Sequence, residues 1–220
     1  MKLPAFDLVE PRSLKRASRL LAERGDRAMV IAGGTAAGLL LGLARGASAS
    51  LLRSAAALYV EFIRGTPLLV VLFIVYFALP PLIGHRFTAY QAAVIGFVAF
   101  SAAYIAEDVR SGIRSVPRGQ VEAALASGLP RGQILRLVIL PQAIRRMIPA
   151  LFNQFVRLLK FTSVASVIGV TELTGATLAV NAREFQPLPL LAALAGAYFA
   201  ACYALSLIGR WLNRRYAIAT

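Results

Sequence analysis

Long apolar stretches separated by short basic segments run through most of this chain. Four windows free of charged residues cover positions 28–44, 66–84, 87–106 and 188–209. A fifth stretch, 147–170, is apolar except for Arg157 and Lys160, which lie three residues apart and therefore on one side of a helix. Because a helix needs about 20 mostly apolar residues to cross a bilayer core of about 30 Å, the pattern predicts an all-α membrane protein with about five transmembrane helices.

Composition and charge narrow the class of protein further. Of the 220 residues, 58% are hydrophobic and 15% are charged, and the net charge is +14. A mean hydropathy of +0.68 beside this charge places the basic residues outside the apolar stretches, as in membrane proteins. These values exclude a disordered chain and argue against a nucleic-acid-binding protein. The single cysteine, Cys202, excludes an intrachain disulfide.

Orientation depends on where the basic residues lie between the spans. Five spans put the termini on opposite sides, and the basic loop at 110–146 favours a cytoplasmic C-terminus, whereas the basic residues before position 28 count against it. We divide the chain into a basic N-terminal segment, 1–27, and a transmembrane domain, 28–216. The first is either an interfacial amphipathic helix or a disordered leader, and it lacks the apolar run and cleavage site of a secretory signal peptide.

Small residues recur every four positions in two of the spans. They are Gly34, Gly38 and Gly42 in the first span and, as a weaker signal, Ala193, Ala197 and Ala201 in the last. Such ridges predict close approach of another helix in lipid. Neither ridge contains a catalytic group, and the sequence has no nucleotide-binding signature and no metal-ligand spacing. We therefore expect no enzyme activity, no cofactor and no metal in this chain.

The loop between the third and fourth spans has the composition of a helix, with proline and glycine at positions that typically flank one. A helix-forming run at 120–127 is preceded by Pro117 and followed by Gly128, which predicts a short isolated helix. A second amphipathic run at 134–139 is predicted to end at Pro141. A short helix held outside the membrane either docks into a groove on a partner or caps the bundle as a surface helix, and the pattern leaves both open.

Several motifs in this chain resemble one family of transporters. Glu122, Ala123 and Ala124, then Gly128, then the sequence ILP at 139–141 are similar to the cytoplasmic "EAA" loop of the membrane subunits of binding-protein-dependent ABC importers. Four further segments resemble the polar amino-acid permease branch, of the histidine/glutamine/arginine type. They are YVEFIRGTPL at 59–68, AAYIAE at 102–107, SVPRGQ at 115–120 and SVIGVTEL at 166–173. The resemblance covers roughly residues 51–216.

The resemblance implies a mechanism and a set of partners. In such importers the short loop helix inserts into a cleft of a cytoplasmic ATPase subunit, and closure of the ATPase dimer rocks the membrane helices between outward and inward access. It assigns Glu122, Ala123, Ala124 and Gly128 to this coupling, with Glu122 forming a charge-assisted hydrogen bond and Gly128 permitting the helix exit. ATP and Mg would bind the partner ATPase. The implied location is the bacterial inner membrane, with its lipid, a second permease subunit and a periplasmic solute-binding protein as partners.

The interrupted fourth span is the best candidate for a solute path, because polar groups in lipid are costly unless they face protein or water. The candidates for this path are Thr66, Asn153, Gln154, Phe161, Thr162 and Ser163. For Arg157 and Lys160 we favour contact of the charged ends with the cytoplasmic interface over contact with substrate.

Two of these positions depart from the family pattern. Where the family often has Glu and Asp, this chain has Gln154 and Phe161, so a cationic solute would lose two attractive charges. Either the substrate is less polar than arginine or lysine, or this chain is the non-binding half of a heterodimer. The net charge favours the heterodimer. The alternatives to transport are a membrane scaffold or partner-binding protein without a solute path, and an intramembrane enzyme.

Overall fold

The computed structural model describes residues 26–46 and 49–216, and in these ranges every regular element is helical. The α-helices are α1 Asp26–Ala44, α2 Ser50–Gly65, α3 Leu68–Phe73, α4 Leu79–Ile83, α5 Ala89–Arg114, α6 Arg118–Ala126, α7 Arg131–Gln133, α8 Leu140–Phe161, α9 Leu173–Glu184 and α10 Pro187–Tyr216. Two π-helical turns, Ile74–Ala78 and Ile134–Ile139, and a 3-10 helix, Thr162–Ile168, join neighbouring helices. The all-α prediction is confirmed for the described residues. The predicted interfacial helix or leader at 1–27 lies outside them, apart from the start of α1.

Length and apolar composition decide which helices could cross a membrane. Among the described residues, α5 and α10 are long and apolar enough individually. Two bent pairs meet the same test jointly: Ser50–Gly65 with Leu68–Ile83, bent by 110°, and Arg131–Ile168 with Leu173–Glu184, bent by 47°. Ala32–Ala44 is a shorter apolar helix. The structure therefore supports two to four spans, and five spans stay a prediction.

Proline is associated with both π-helical turns. The Leu79 amide donates to the Ile74 carbonyl, and the Leu140 amide donates to the Leu135 carbonyl, five residues back in each case. A proline follows at the next position, where a regular α-helix would lose a hydrogen bond and clash with the preceding turn. The wider turn accommodates the proline. The prediction that the second amphipathic run ends at Pro141 is therefore wrong, because Arg131–Ile168 is continuously helical.

The glycine ridge of α1 packs directly on α5. A Cβ atom added at Gly38 would lie 2.6 Å from the Ile105 Cβ, and one added at Gly42 would lie 2.8 Å from the Val109 Cβ. These separations are shorter than carbon–carbon van der Waals contact, so only glycine permits the observed approach. The predicted close packing of the first ridge is confirmed.

α5 forms the centre of the hydrophobic core. It packs against α1, α2, α3 and α8, and its buried residues include Ala92, Phe97 and Ala103. α10 is packed mainly on α8 and α9, and most of its residues are exposed. The alanines of the second ridge are among these exposed residues, so their predicted close packing has no partner within the described chain.

Candidate functional site

The predicted loop helix is present as α6. It starts after Pro117 and ends with Gly128 in the left-handed conformation, at a φ of +77°. The Gly128 amide donates to the Leu125 carbonyl at 2.9 Å, and the Leu129 amide donates to the Ala124 carbonyl at 3.2 Å. This pair of bonds is a Schellman ending, which requires positive φ at the residue after the cap and so favours glycine there. The sequence therefore located the helix and its exit correctly.

Two contacts fix α6 to the helical segment that leads into the fourth predicted span. Ala124 is buried, and α6 packs against the π-helical turn Ile134–Ile139. The Gln142 side-chain amide donates to the side-chain carbonyl of Gln120. Because the π-helical turn continues directly into α8, a displacement of α6 would be transmitted to α8 rather than absorbed by a loose connection.

The opposite face of α6 is open. Glu122 and Ala123 are exposed, and within the described residues no hydrogen bond or ion pair involves the Glu122 carboxylate. An exposed carboxylate on a rigid helix can accept charge-assisted hydrogen bonds from a partner. The geometry is compatible with the coupling role expected for Glu122, which stays a prediction.

A cluster of ion pairs joins three helical segments near the end of α5. We call Arg45, Glu61, Arg64, Glu107 and Arg110 the charged hub. The Glu107 Oε2 lies 2.7 Å from the Arg45 Nη1 and 3.6 Å from the Arg64 Nη1, and Arg110 pairs with the Glu107 Oε1. The Arg45 Nη2 lies 3.3 Å from the Glu61 Oε1. The side chain of Arg45 is only 10% exposed, so removal of its partners would leave a poorly solvated charge.

Tyr104 lies next to the charged hub, between two guanidinium groups. The guanidinium carbons of Arg64 and Arg157 are each 5.5 Å from the centroid of its ring, within cation–π distance. The carboxylate of Asp108, one turn further along α5, lies near the side chain of Gln154 and is attracted to Arg157 and Arg64. Arg157 therefore has partners within the chain, so neither lipid nor substrate is needed to explain its position.

The path candidates have different partners in the structure. Thr162 and Ser163 donate to the carbonyls of Leu159 and Lys160, both at 2.7 Å. Thr66 ends α2 and donates to the Phe62 carbonyl at 2.8 Å. Among the other candidates, Asn153 is exposed and Gln154 lies beside Asp108. Phe161 packs edge-to-face on Phe100 with ring centroids 5.6 Å apart, and is therefore part of the core packing.

A cavity of about 330 Å³ lies beside the 3-10 helix, and Ser163 is the path candidate that lines it. The other lining residues are Lys160, Tyr198, Phe199 and Cys202. The Tyr198 hydroxyl donates to the Glu172 Oε2 at 3.0 Å, and Glu172 also accepts from the Thr174 and Gly175 amides. Glu172 thus caps α9 and fixes it to α10 beside the cavity.

Sequence reasoning missed the charged hub and the link between Glu172 and Tyr198. One local signal was available for the hub, because Glu107 and Arg110 are three residues apart on one helix. No local signal connects Arg45 to Glu107, 62 positions later, or Glu172 to Tyr198, 26 positions later. These pairs depend on how the helices pack.

Comparison with known proteins gives concordant matches over most of the chain. Residues 34–218 match the family model described as "Binding-protein-dependent transport system inner membrane component". The chain is 45% identical to "Probable amino-acid ABC transporter permease protein YckA" of Bacillus subtilis, over 84% of this chain and 81% of that protein. It is 42% identical to the glutamine transport system permease protein GlnP of Escherichia coli strain K12, over 86% of each chain.

A solved structure agrees with these relatives. The crystal structure of an amino acid ABC transporter with histidines superposes on this chain with a TM-score of 0.83 and 32% sequence identity. The match covers 89% of this chain and 91% of the other. The same arrangement of helices therefore extends over nearly the whole described structure.

Proposed function

Since the chain belongs to the family of binding-protein-dependent transport system inner membrane components, we propose that it is the permease subunit through which an ABC importer moves amino acids across the bacterial inner membrane. The observation that carries this proposal is its identity of 42–45%, over more than four fifths of the chain, to permeases named for amino acids and glutamine. The chain is a transport component and not itself an enzyme. ATP and Mg bind a separate ATPase subunit.

We propose five spans, formed by α1, the helices from Leu68 to Ile83, α5, α8 with the following 3-10 helix, and α10. In this arrangement α6 and the C-terminus lie in the cytoplasm. The many arginines between α5 and α8 support this orientation, because basic residues are retained on the cytoplasmic side.

Coupling in this proposal runs from α6 to α8. The exposed Glu122 holds α6 in a cleft of the ATPase, and the short helix moves as the ATPase dimer closes. The hydrogen bond between Gln120 and Gln142 and the packing of α6 on the π-helical turn transmit this displacement to α8. α8 carries the polar side chains at 153 and 154, so its tilt changes access to the solute path.

A periplasmic solute-binding protein delivers the amino acid, and a second permease subunit completes the pore. We favour a related chain over an identical copy as this second subunit. Phe161 packs in the core and Gln154 is neutral, so neither supplies the acidic group that the family often carries at these positions. Co-purification and identification of every bound chain would test this; a complex containing only this permease would contradict the heterodimer.

The decisive test is ATP-driven uptake of labelled glutamine into proteoliposomes that contain the chain, its ATPase and its binding protein. Gly128→Val places a β-branched residue at positive φ and should distort the end of α6, so we expect uptake to fall at least tenfold with the assembled bundle retained. Gly132→Val is the matched control, because an added Cβ there meets nothing within 4 Å and φ is not positive. Equal uptake by both variants would refute the coupling role. Absence of uptake by the unmodified complex would instead favour a scaffold without a solute path.

A further inference from the structure

A second cavity, of about 160 Å³, lies between α5 and α8 near the point where α5 ends. Its polar lining consists of Asp108, Ser111, Ser115 and Arg146. Gly112 and Met147 close its apolar side and are in such tight contact that an added Cβ on the glycine would overlap the Met147 side chain. The transport mechanism proposed above makes no use of this cavity.

The cavity contains a guanidinium group with unused hydrogen-bonding capacity. Arg146 donates from Nη1 to the Ser115 carbonyl, whereas its Nε is buried and, among the described residues, has no hydrogen-bond partner. No ion pair within the described chain involves Arg146. A buried donor without an acceptor is costly, which indicates that an acceptor occupies this place in the assembled protein.

The other charged group in the cavity does not satisfy Arg146. The Asp108 Oδ2 is also buried without a hydrogen-bond partner, but the charge of Asp108 is attracted to Arg157 and Arg64. Arg157 already offsets this one carboxylate, whereas Arg64 is shared with Glu107. The cavity therefore retains an excess positive charge, and the exposed Arg114 at the end of α5 adds to it.

The depth of the cavity along α5 indicates the source of an anion. α5 has 26 residues and is therefore about 39 Å long, whereas the hydrocarbon core of a bilayer is about 30 Å thick. If the core begins at Ala89, it ends near Asp108, so the last turns of α5 extend into the headgroup layer. Lipid phosphates lie at this depth.

We propose that this cavity binds the phosphate group of an anionic phospholipid. The Arg146 guanidinium and the Ser111 hydroxyl donate to the phosphate oxygens, and the excess positive charge of the cavity favours an anionic over a zwitterionic headgroup. Bound there, the lipid bridges α5 and α8 beside the attachment of α6. The inference rests on the proposed function only in placing α5 across a bilayer.

The test measures lipid retention by native mass spectrometry of the purified permease complex, after incubation with phosphatidylglycerol, with phosphatidylcholine or with inorganic phosphate. We expect selective retention of phosphatidylglycerol, reduced about tenfold by Arg146→Gln, which corresponds to about 1.4 kcal/mol. Arg145→Gln is the matched control, since it removes the same charge from an exposed neighbour, and retention should stay within about twofold.

Three outcomes would overturn the proposal: equal losses in the two arginine variants, equal retention of both lipids, or saturable binding of inorganic phosphate without retention of phosphatidylglycerol. If Arg146→Gln fails to fold, Ser111→Ala provides the second variant, because Ser111 is exposed and its loss should lower retention about threefold, the effect of one hydrogen bond. Uptake by the unmodified complex is measured in parallel, so failure of lipid binding is distinguishable from failure of the transport assignment.

Discussion

α5 and α10 are both long and apolar, yet they have different surroundings. In the most apolar window of each helix, 56% of residues are buried inside the chain for α5 and 6% for α10. Lipid tails are as apolar as leucine side chains, so hydrophobicity brings both helices into the membrane without deciding what each one packs against. The difference comes from the complementary surfaces. α1 presents a glycine ridge to α5, whereas the alanine ridge of α10 meets no helix in the described chain.

The largest difference in stability between variants of the α1–α5 contact and variants of α10 is expected when the glycine ridge of α1 is filled. Gly38→Leu places a side chain where even a Cβ lies 2.6 Å from Ile105 and 3.0 Å from the Ala102 carbonyl oxygen. We expect α1 to separate from α5, with a loss of about 3 kcal/mol or more, measured as a lower midpoint of thermal unfolding in detergent. Gly196→Leu is the control on α10, where an added Cβ meets nothing within 4 Å. Similar decreases in the unfolding midpoint for both variants would contradict a specific requirement for close packing of α1 on α5.

A smaller effect is expected from the charged hub, which adds polar attachments to α5. Glu107→Gln keeps the shape of the side chain but removes the charge that pairs with Arg45 and Arg64. Because Arg45 is largely buried, we expect a loss of about 2 kcal/mol in the free energy of unfolding. The loss should be read from denaturant unfolding of the purified chain. Glu184→Gln, at an exposed position of α9, should change this free energy by less than about 0.5 kcal/mol. An equal change in both variants would contradict a stabilising role for the charged hub.

The smallest effect concerns the polar attachment of α10. Tyr198→Phe removes the hydroxyl that bonds to Glu172 and Thr174 while keeping the ring. We expect a loss of about 1 kcal/mol and faster amide hydrogen exchange in α9, whose cap is weakened. The comparison variant is Tyr203→Phe, at an exposed position of the same helix. Unchanged exchange in α9 would mean that Glu172 caps the helix without help from α10.

Local sequence signals were sufficient for some features of this fold. Glycines four residues apart predicted that another helix packs closely on α1, and the proline before α6 and the glycine after it predicted α6. Features that depend on distant partners were not predictable in the same way. From the family resemblance we expect an acidic residue at position 161, and only the packed helices show the ring of Phe161 against Phe100. The misassigned stop at Pro141 has a different cause, because proline breaks a regular helix but is accommodated after a wider turn.

The π-helical turn at Ile134–Ile139 also determines the direction in which α6 is presented. A wide turn accommodates one residue more than a regular turn over nearly the same rise, so it changes the angular phase of the helix by about 100°. Side chains before and after Ile134–Ile139 therefore point in directions that they would not have in a regular α-helix. Deleting a single residue here would change the rotational phase between α7 and α8 by about 100° and misalign the surface on which α6 packs.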